Sequence, residues 1–304
     1  MELGLGLPNG GARVDAAELV RTTVGAEGIG LDAVWVVDRW LRPLATVAMP
    51  GVPVPVEMPA EHYAEVLDPI DLLSHLAART ARIRLGTSAV NVLLHPPVLL
   101  ARRFATLDRL SGGRVLAGVA AGWMAEEFAV AGVAAGGSGE RFDDHLAAMR
   151  AVWADDPVRH DGPHYPIPPS DIGPKPLRGP LPLLVGYNTR AGLERAARIG
   201  DGLHPYRNDL ARLADELRTW RDAARRAGLD PARMPVVLRA AADPDSPRGE
   251  AFTGPVPAWA DDVAAAAELG VGHVLLQFPP GADPARVLGA MAELRAAVPA
   301  GNAG

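Results

Sequence analysis

Eight short runs rich in apolar and glycine residues, at 3–7, 33–37, 83–88, 115–119, 183–186, 202–204, 236–240 and 274–278, each lead through a turn into a longer stretch with helical spacing. Those helical stretches fall at 16–26, 71–81, 97–110, 141–153, 190–199, 210–227, 259–269 and 284–297. The punctuation agrees. Pro8 and Asn9 stop the first run, Asp15 stands where an N-cap belongs, and Ser111-Gly112-Gly113 end the third helix. The runs are largely apolar rather than alternating, as in strands covered on both faces, so the sheet is parallel. Eight strand–helix pairs in 304 residues predict an α/β fold closed as a (β/α)8 TIM barrel rather than an open doubly wound sheet. Residues 1–299 are expected to form one domain, and 300–304 a frayed tail.

Two segments break the rhythm. Residues 41–66, after the second strand, are proline-rich, and 155–182, before the fifth, carry nine prolines. Long connections of this kind in a compact domain usually serve as lids or binding loops. The first lies on the carboxyl side of a strand, where barrel chemistry is placed, and the second is long enough to fold across the mouth.

Charge and composition exclude several partners. A net charge of −6 with a single lysine, Lys175, offers no basic field for nucleic acid or an anionic membrane. With no cysteine, disulfides, thiolate catalysis and iron–sulfur clusters are out of reach. No apolar run approaches the ~18–20 residues of a spanning helix, and the amino terminus lacks a signal-peptide pattern, so the expected setting is the cytoplasm. Familiar motifs also fail. Pro8 interrupts Gly4, Gly6 and Gly10 before any helix, which removes a dinucleotide fingerprint. His160 and His164 are separated by Asp161-Gly162-Pro163, which forbids a helical metal pair, and no metal is expected. Gly86-Thr87-Ser88-Ala89 is not a hydrolase elbow.

Polar and small residues gather instead where strands end: Asp38-Arg39 after the second, Thr87-Ser88-Ala89-Val90-Asn91 after the third, Ala121-Gly122-Trp123 after the fourth, and Gly186-Tyr187-Asn188-Thr189 after the fifth. In the last of these, Asn188 or Thr189 can cap the next helix, whose free N–H groups make an anion site. A plain N-cap accounts for the same residues equally well.

The ordered series Arg82-Ile83-Arg84-Leu85-Gly86-Thr87-Ser88, Leu107-Asp108-Arg109-Leu110-Ser111-Gly112-Gly113-Arg114-Val115, Gly118-Val119-Ala120-Ala121-Gly122-Trp123 and Arg141-Phe142-Asp143-Asp144 resembles the bacterial luciferase-like monooxygenase superfamily. Its actinobacterial branch, assigned as dependent on coenzyme F420, is the most similar, and Gly186-Tyr187-Asn188-Thr189 through Gly200-Asp201-Gly202-Leu203-His204-Pro205 continues the match. The resemblance implies a barrel holding a deazaflavin (coenzyme F420), or alternatively FMN, at the carboxyl ends of the strands. It implies a non-proline cis peptide at Ser88–Ala89 behind the ring, with Ala121 and Gly122 beside it. Gly186, Tyr187, Asn188 and Thr189 would hold the phosphate. His95 stands near the cofactor tail or is a polar loop histidine. Tyr187 departs from a frequent glycine.

Arg39 departs further. The sugar-phosphate dehydrogenases of the superfamily have a histidine base after Asp38, and arginine cannot be that base. Trp123 replaces their glutamate. Asp38 and Arg39 are therefore read as catalytic for reduction rather than alcohol oxidation. Trp40 and Trp123 line the substrate pocket, and Trp35, inside a strand, reads as core. The expected activity is hydride transfer from reduced coenzyme F420 to a C=C or C=N bond of a small molecule. The alternatives are an FMN monooxygenase using O₂ with a separate reductase, and a catalytically silent cofactor-binding relative. A homodimer is implied by the resemblance alone.

Overall fold

The computed structural model describes residues 1–49, 52–134 and 137–298, so the expected tail at 300–304 lies outside the described residues. The barrel strands are β1 (Glu2–Gly6), β2 (Ala33–Val36), β3 (Arg84–Thr87), β4 (Val115–Ala120), β5 (Leu183–Val185), β6 (Gly202–Leu203), β7 (Val237–Ala241) and β8 (His273–Gln277). Each is followed by its helix: α1 (Ala16–Gly28), α2 (Pro69–Ala77), α3 (Pro97–Ser111), α4 (Ser138–Trp153), α5 (Arg190–Ile199), α6 (Leu210–Arg226), α7 (Trp259–Glu268) and α8 (Pro284–Ala297). Neighbouring strands pair in parallel in the order β6-β5-β4-β3-β2-β1-β8-β7. The parallel bridges Leu203–Val236 and Tyr206–Arg239 join the two ends, so the (β/α)8 barrel of the sequence reading is nearly closed.

Pleating sends alternate side chains outward and inward. Leu3, Leu5, Val34, Val36, Leu85, Leu238, Leu276 and their like face the helices in the main core. Inside, Ala33, Trp35, Leu184, Val237 and Leu275 form a second, smaller cluster. Trp35 is its largest member and plugs the axis. Its ring stacks on His204 with centroids 5.2 Å apart, and its indole N–H donates to His273 Nε2 at 3.3 Å. Two glycines make the room. A Cβ on Gly86 would lie 2.2 Å from Trp35 Cε3, and one on Gly4 2.6 Å from Trp35 Nε1.

The fourth helix starts three residues before its expected span and the first ends two beyond it, but the second departs furthest. The stretch read as 71–81 starts at Pro69 because Asp68 caps it, its carboxylate accepting from the N–H groups of Ile70 and Asp71. The helix stops at Ala77 because long-range partners take over the chain beyond it. Arg114 donates to the carbonyls of Ala77, Thr80 and Ile83, and Glu27 accepts from the N–H groups of Ala81, Arg82 and Ile83.

The loop after β2 carries short elements of its own. Val47 bridges Val56, Ala60–Tyr63 forms one helical turn, and Glu65–Val66 pairs with Gly10–Gly11. Val47 and Met58 pack against Met124 beyond β4, bringing Tyr63 and Trp123 together over the strand ends. The connection before β5 does not fold across the mouth as its length suggested. It contains an antiparallel hairpin, Val158–His160 with Ile167–Ser170, and its hydrogen bonds run to α3 and α4. Asp144 of α4 accepts from His164 N–H, Tyr165 N–H and the His160 ring, while Leu177 N–H donates to Asp108 of α3. Among the described residues, no helix is long and apolar enough to cross a membrane.

Candidate active site at the carboxyl ends of the strands

The residues after β2 turn into the mouth rather than away from it. Asp38 is buried, its Oδ2 accepting from the N–H of Asn91 at 3.0 Å and lying 3.9 Å from His95 Nε2. Arg39 reaches across to Glu127, with Nη1 2.9 Å from Oε2, and its guanidinium lies 5.1 Å from the Trp123 ring and 5.9 Å from that of Tyr63. The other oxygen of Glu127 accepts from Trp40 N–H at 2.8 Å. Trp40 in turn meets His95 edge to face at 5.2 Å. Burial raises the Glu127 carboxyl above the usual range, and the Arg39 charge pulls the other way. Asp38, Arg39, Trp40, His95 and Trp123, read separately from the sequence, thus share one cluster.

Asn91, read from the sequence at the end of the third strand, joins that cluster, and Glu127 and Tyr63, which were not picked out from the sequence, complete it. Glu127 sits on a short helix, Ala125–Val130, whose first turn carries Glu126 and Glu127 ahead of buried Phe128. Paired acids before an apolar residue are an N-terminal helix signal that could have located the helix, though not its partner.

The third strand ends in the Ser88–Ala89 peptide, which is cis. His204 donates from Nδ1 to the Val237 carbonyl at 2.7 Å, which leaves Nε2 to accept from the Ser88 hydroxyl at 2.8 Å. Burial pushes this imidazole down to about 4, so it is neutral around neutral pH. The Ser88 carbonyl accepts from Arg239 Nη1 at 2.9 Å. Ala121 and Gly122 follow β4, and Gly122 has φ +87°. A Cβ there would stand 3.1 Å from Phe128 Cζ, so both backbone and space call for glycine.

The turn after β5 divides its residues. Thr189 caps α5, its hydroxyl accepting from Gly192 N–H at 3.0 Å, and the first turn holds no acid. Asn188 is exposed beside it, and a Cβ on Gly186 would meet its nearest neighbour, the His204 carbonyl oxygen, at an ordinary 3.6 Å. Tyr187 turns toward α6, donating to Glu216 at 2.6 Å, and Arg207 lies over its ring while pairing with the same carboxylate. The His95 carbonyl accepts from His145, whose imidazole burial pushes down to about 4.

Among the described residues no group of three or more acids or histidines is placed to hold a metal. A cavity of about 440 Å³ opens at the opposite, amino end of the barrel, lined by Met1, Glu2, Arg84, Leu184 and His273. The convergent polar groups described above all lie at the carboxyl end, which makes the mouth the candidate site.

Comparison with known proteins agrees with this geometry. Residues 1–251 match the family model for luciferase-like monooxygenases. An uncharacterised protein of Mycobacterium tuberculosis is 34% identical over 255 residues, which cover 84% of each chain. An F420-dependent glucose-6-phosphate dehydrogenase of Amycolatopsis mediterranei is 30% identical over 197 residues, 61% of this chain and 52% of that one. The crystal structure of monooxygenase RslO1 from Streptomyces bottropensis superposes with a TM-score of 0.77 at 22% identity, over 97% of this chain and 99% of that one.

Proposed function

The chain belongs to the luciferase-like monooxygenase family, and on that premise we propose that it is an oxidoreductase reducing an activated C=C or C=N bond with hydride from reduced coenzyme F420. One observation carries the direction of the reaction. The residue after Asp38 is an arginine whose charge is met by buried Glu127 and whose guanidinium lies against Trp123. A guanidinium holds its proton at neutral pH and cannot take one from an alcohol.

The residues present fit the cofactor. Ser88, Ala89, Ala121 and Gly122 form a floor at the ends of β3 and β4. The acid-free first turn of α5, with Gly186, Tyr187, Asn188 and Thr189 before it, suits a phosphate. When bound, the reduced cofactor supplies the hydride. In this reading Arg39 holds or polarises the acceptor, Trp40 and Trp123 wall the pocket, and the proton comes from the Asp38–His95 pair. The protein works in the cytoplasm as a single barrel domain, assembled as a homodimer, on a small molecule and without nucleic-acid or membrane partners.

The test is anaerobic oxidation of reduced F420 by electron-poor enones and imines. Arg39→Ala should slow turnover by about tenfold or more while cofactor affinity stays nearly constant, since the lost contact is to the acceptor. Efficient oxidation of simple alcohols or sugar phosphates by the unmodified protein, or full activity in Arg39→Ala, is incompatible with this reading. The fold shared with RslO1 supports one rival, an FMN monooxygenase served by a separate reductase, which would consume O₂ with reduced FMN. Tight cofactor binding without turnover of any acceptor would point to the silent relative.

A further inference from the structure

Arg239 stands two residues beyond Val237 on the inward face of β7, at the level of the strand ends. Its Nη1 donates to the Ser88 carbonyl at 2.9 Å and its Nη2 to Gln277 Oε1 at 3.2 Å, and its guanidinium lies 5.0 Å from the Tyr206 ring centroid. All three partners are neutral. The Nε is buried with no acceptor, and among the described residues no carboxylate lies within 4.0 Å of the guanidinium. Burial and the neighbouring Arg39 charge both disfavour the protonated form, although arginine keeps its proton regardless.

Arg114 also lacks a carboxylate, but its Nε, Nη1 and Nη2 all donate, to Ser111, Thr80, Ile83 and Ala77, so its fork is fully used. Four other arginines held in the fold are paired with acids. Arg39 is matched by Glu127, Arg207 by Glu216, Arg248 by Asp262 and Arg295 by Asp32. A half-buried charge with a buried, unpartnered Nε and no counter-ion is costly, and a neutral amide could hold the Ser88 carbonyl equally well. The positive charge therefore calls for a partner that the folded chain does not itself provide. The planar guanidinium fork suits a planar oxyanion better than a spherical ion. Tyr206 is 54% exposed and offers an apolar shelf beside it. Arg39 is a poorer anchor, because its charge is already cancelled.

We propose that Arg239 is the anion-recognition residue of the mouth, and that the substrate carries a carboxylate which Arg239 meets beside the Ser88–Ala89 bulge, its unsaturated or aromatic body resting on Tyr206. The assignment of that anion to a substrate rests on the oxidoreductase reading above.

The experiment uses the cofactor-free protein and an isosteric pair of probes, cinnamate and cinnamamide, followed by calorimetry at neutral pH. The unmodified protein should bind cinnamate about tenfold or more tightly than cinnamamide. Arg239→Gln should abolish that preference and Arg239→Lys should keep only part of it, with both variants checked for an unchanged near-UV spectrum. The double variant Arg295→Gln/Asp32→Asn, which removes a neutral pair at the amino end of the barrel, should keep the full preference. Equal binding of the two probes, or a preference that survives Arg239→Gln or is untouched in Arg239→Lys, overturns the proposal. Oxidised and reduced F420 and FMN are titrated in parallel. If Arg239→Gln weakens only the reduced cofactor and the unmodified protein shows no carboxylate preference, the anion is the cofactor ring, and the substrate assignment falls. Failure of the unmodified protein to bind either cofactor would overturn the oxidoreductase reading instead, and it is scored separately from the carboxylate preference.

Discussion

Glu127 is 1% exposed, and its two oxygens serve a guanidinium and a backbone N–H at once. Glu127→Ala would strand Arg39 in a site only 11% exposed and leave Trp40 N–H without its acceptor. Breaking one side of a buried pair costs about 3–5 kcal/mol, whereas replacing both sides with apolar residues costs far less. Urea denaturation should therefore show a loss of that size in Glu127→Ala and recovery of most of it in Arg39→Met/Glu127→Leu. A loss below about 1 kcal/mol would mean that the pair behaves as an exposed one. Asp38 and Arg39 were legible in the sequence because they follow a strand. Glu127 was not, because it lies 88 positions away from Arg39 and nothing local marks it as a partner. Asn9 carries the same lesson. It reads as a strand stop, yet its buried amide donates to the carbonyls of Val37 and Leu67 and accepts from Val37 N–H, tying the ends of β1, β2 and the first loop together.

Among the elements, β1, β2 and β3 depend on one another through a single indole. Trp35 can occupy the axis only because Gly4 and Gly86 flank it, and it cannot yield because His204 stacks on it and His273 holds its N–H. Gly86→Ala should destabilise the barrel by about 1–3 kcal/mol or more, the usual effect of overpacking a filled core. Gly28→Ala, at the end of α1 with nothing within 4 Å, is the matched control and should not destabilise. Equal urea midpoints for the two variants would contradict the tight axial packing. Element positions were readable because spacing and caps are local. Boundaries slipped where distant residues intervened, as at 78–81, where Glu27 and Arg114 capture a chain that helical spacing alone would have continued.

Across the whole molecule, burial pushes His145 and His204 down to about 4, and His273 down as well. Each is neutral in the fold and titrates near 6.5 when unfolded, so the unfolded chain binds protons first as the pH drops. Their contribution is complete above about pH 6.5 and is lost as the pH falls through about 4, at roughly 3 kcal/mol for each of the two most shifted groups. Glu127, whose carboxyl is raised by burial, acts in the opposite sense but is a single group. Urea midpoints should fall steeply between about pH 6.5 and about pH 4.5. A flat profile over that range would show that these imidazoles are not held neutral by the fold.

The sequence by itself determined the eight strand–helix units, their parallel sense, the two long connections and the strand-end residues, because periodicity, caps and turn residues act over a few positions. Only the tertiary structure decided which of those residues meet. Barrel register sets which side chains point inward, and it brings Ser88 to His204 across 116 positions and to Arg239 across 151. Whether a charge is cancelled, as at Arg39, or left for a ligand, as at Arg239, depends on what lies within 4 Å in space, and no short-range pattern in the chain encodes that distance.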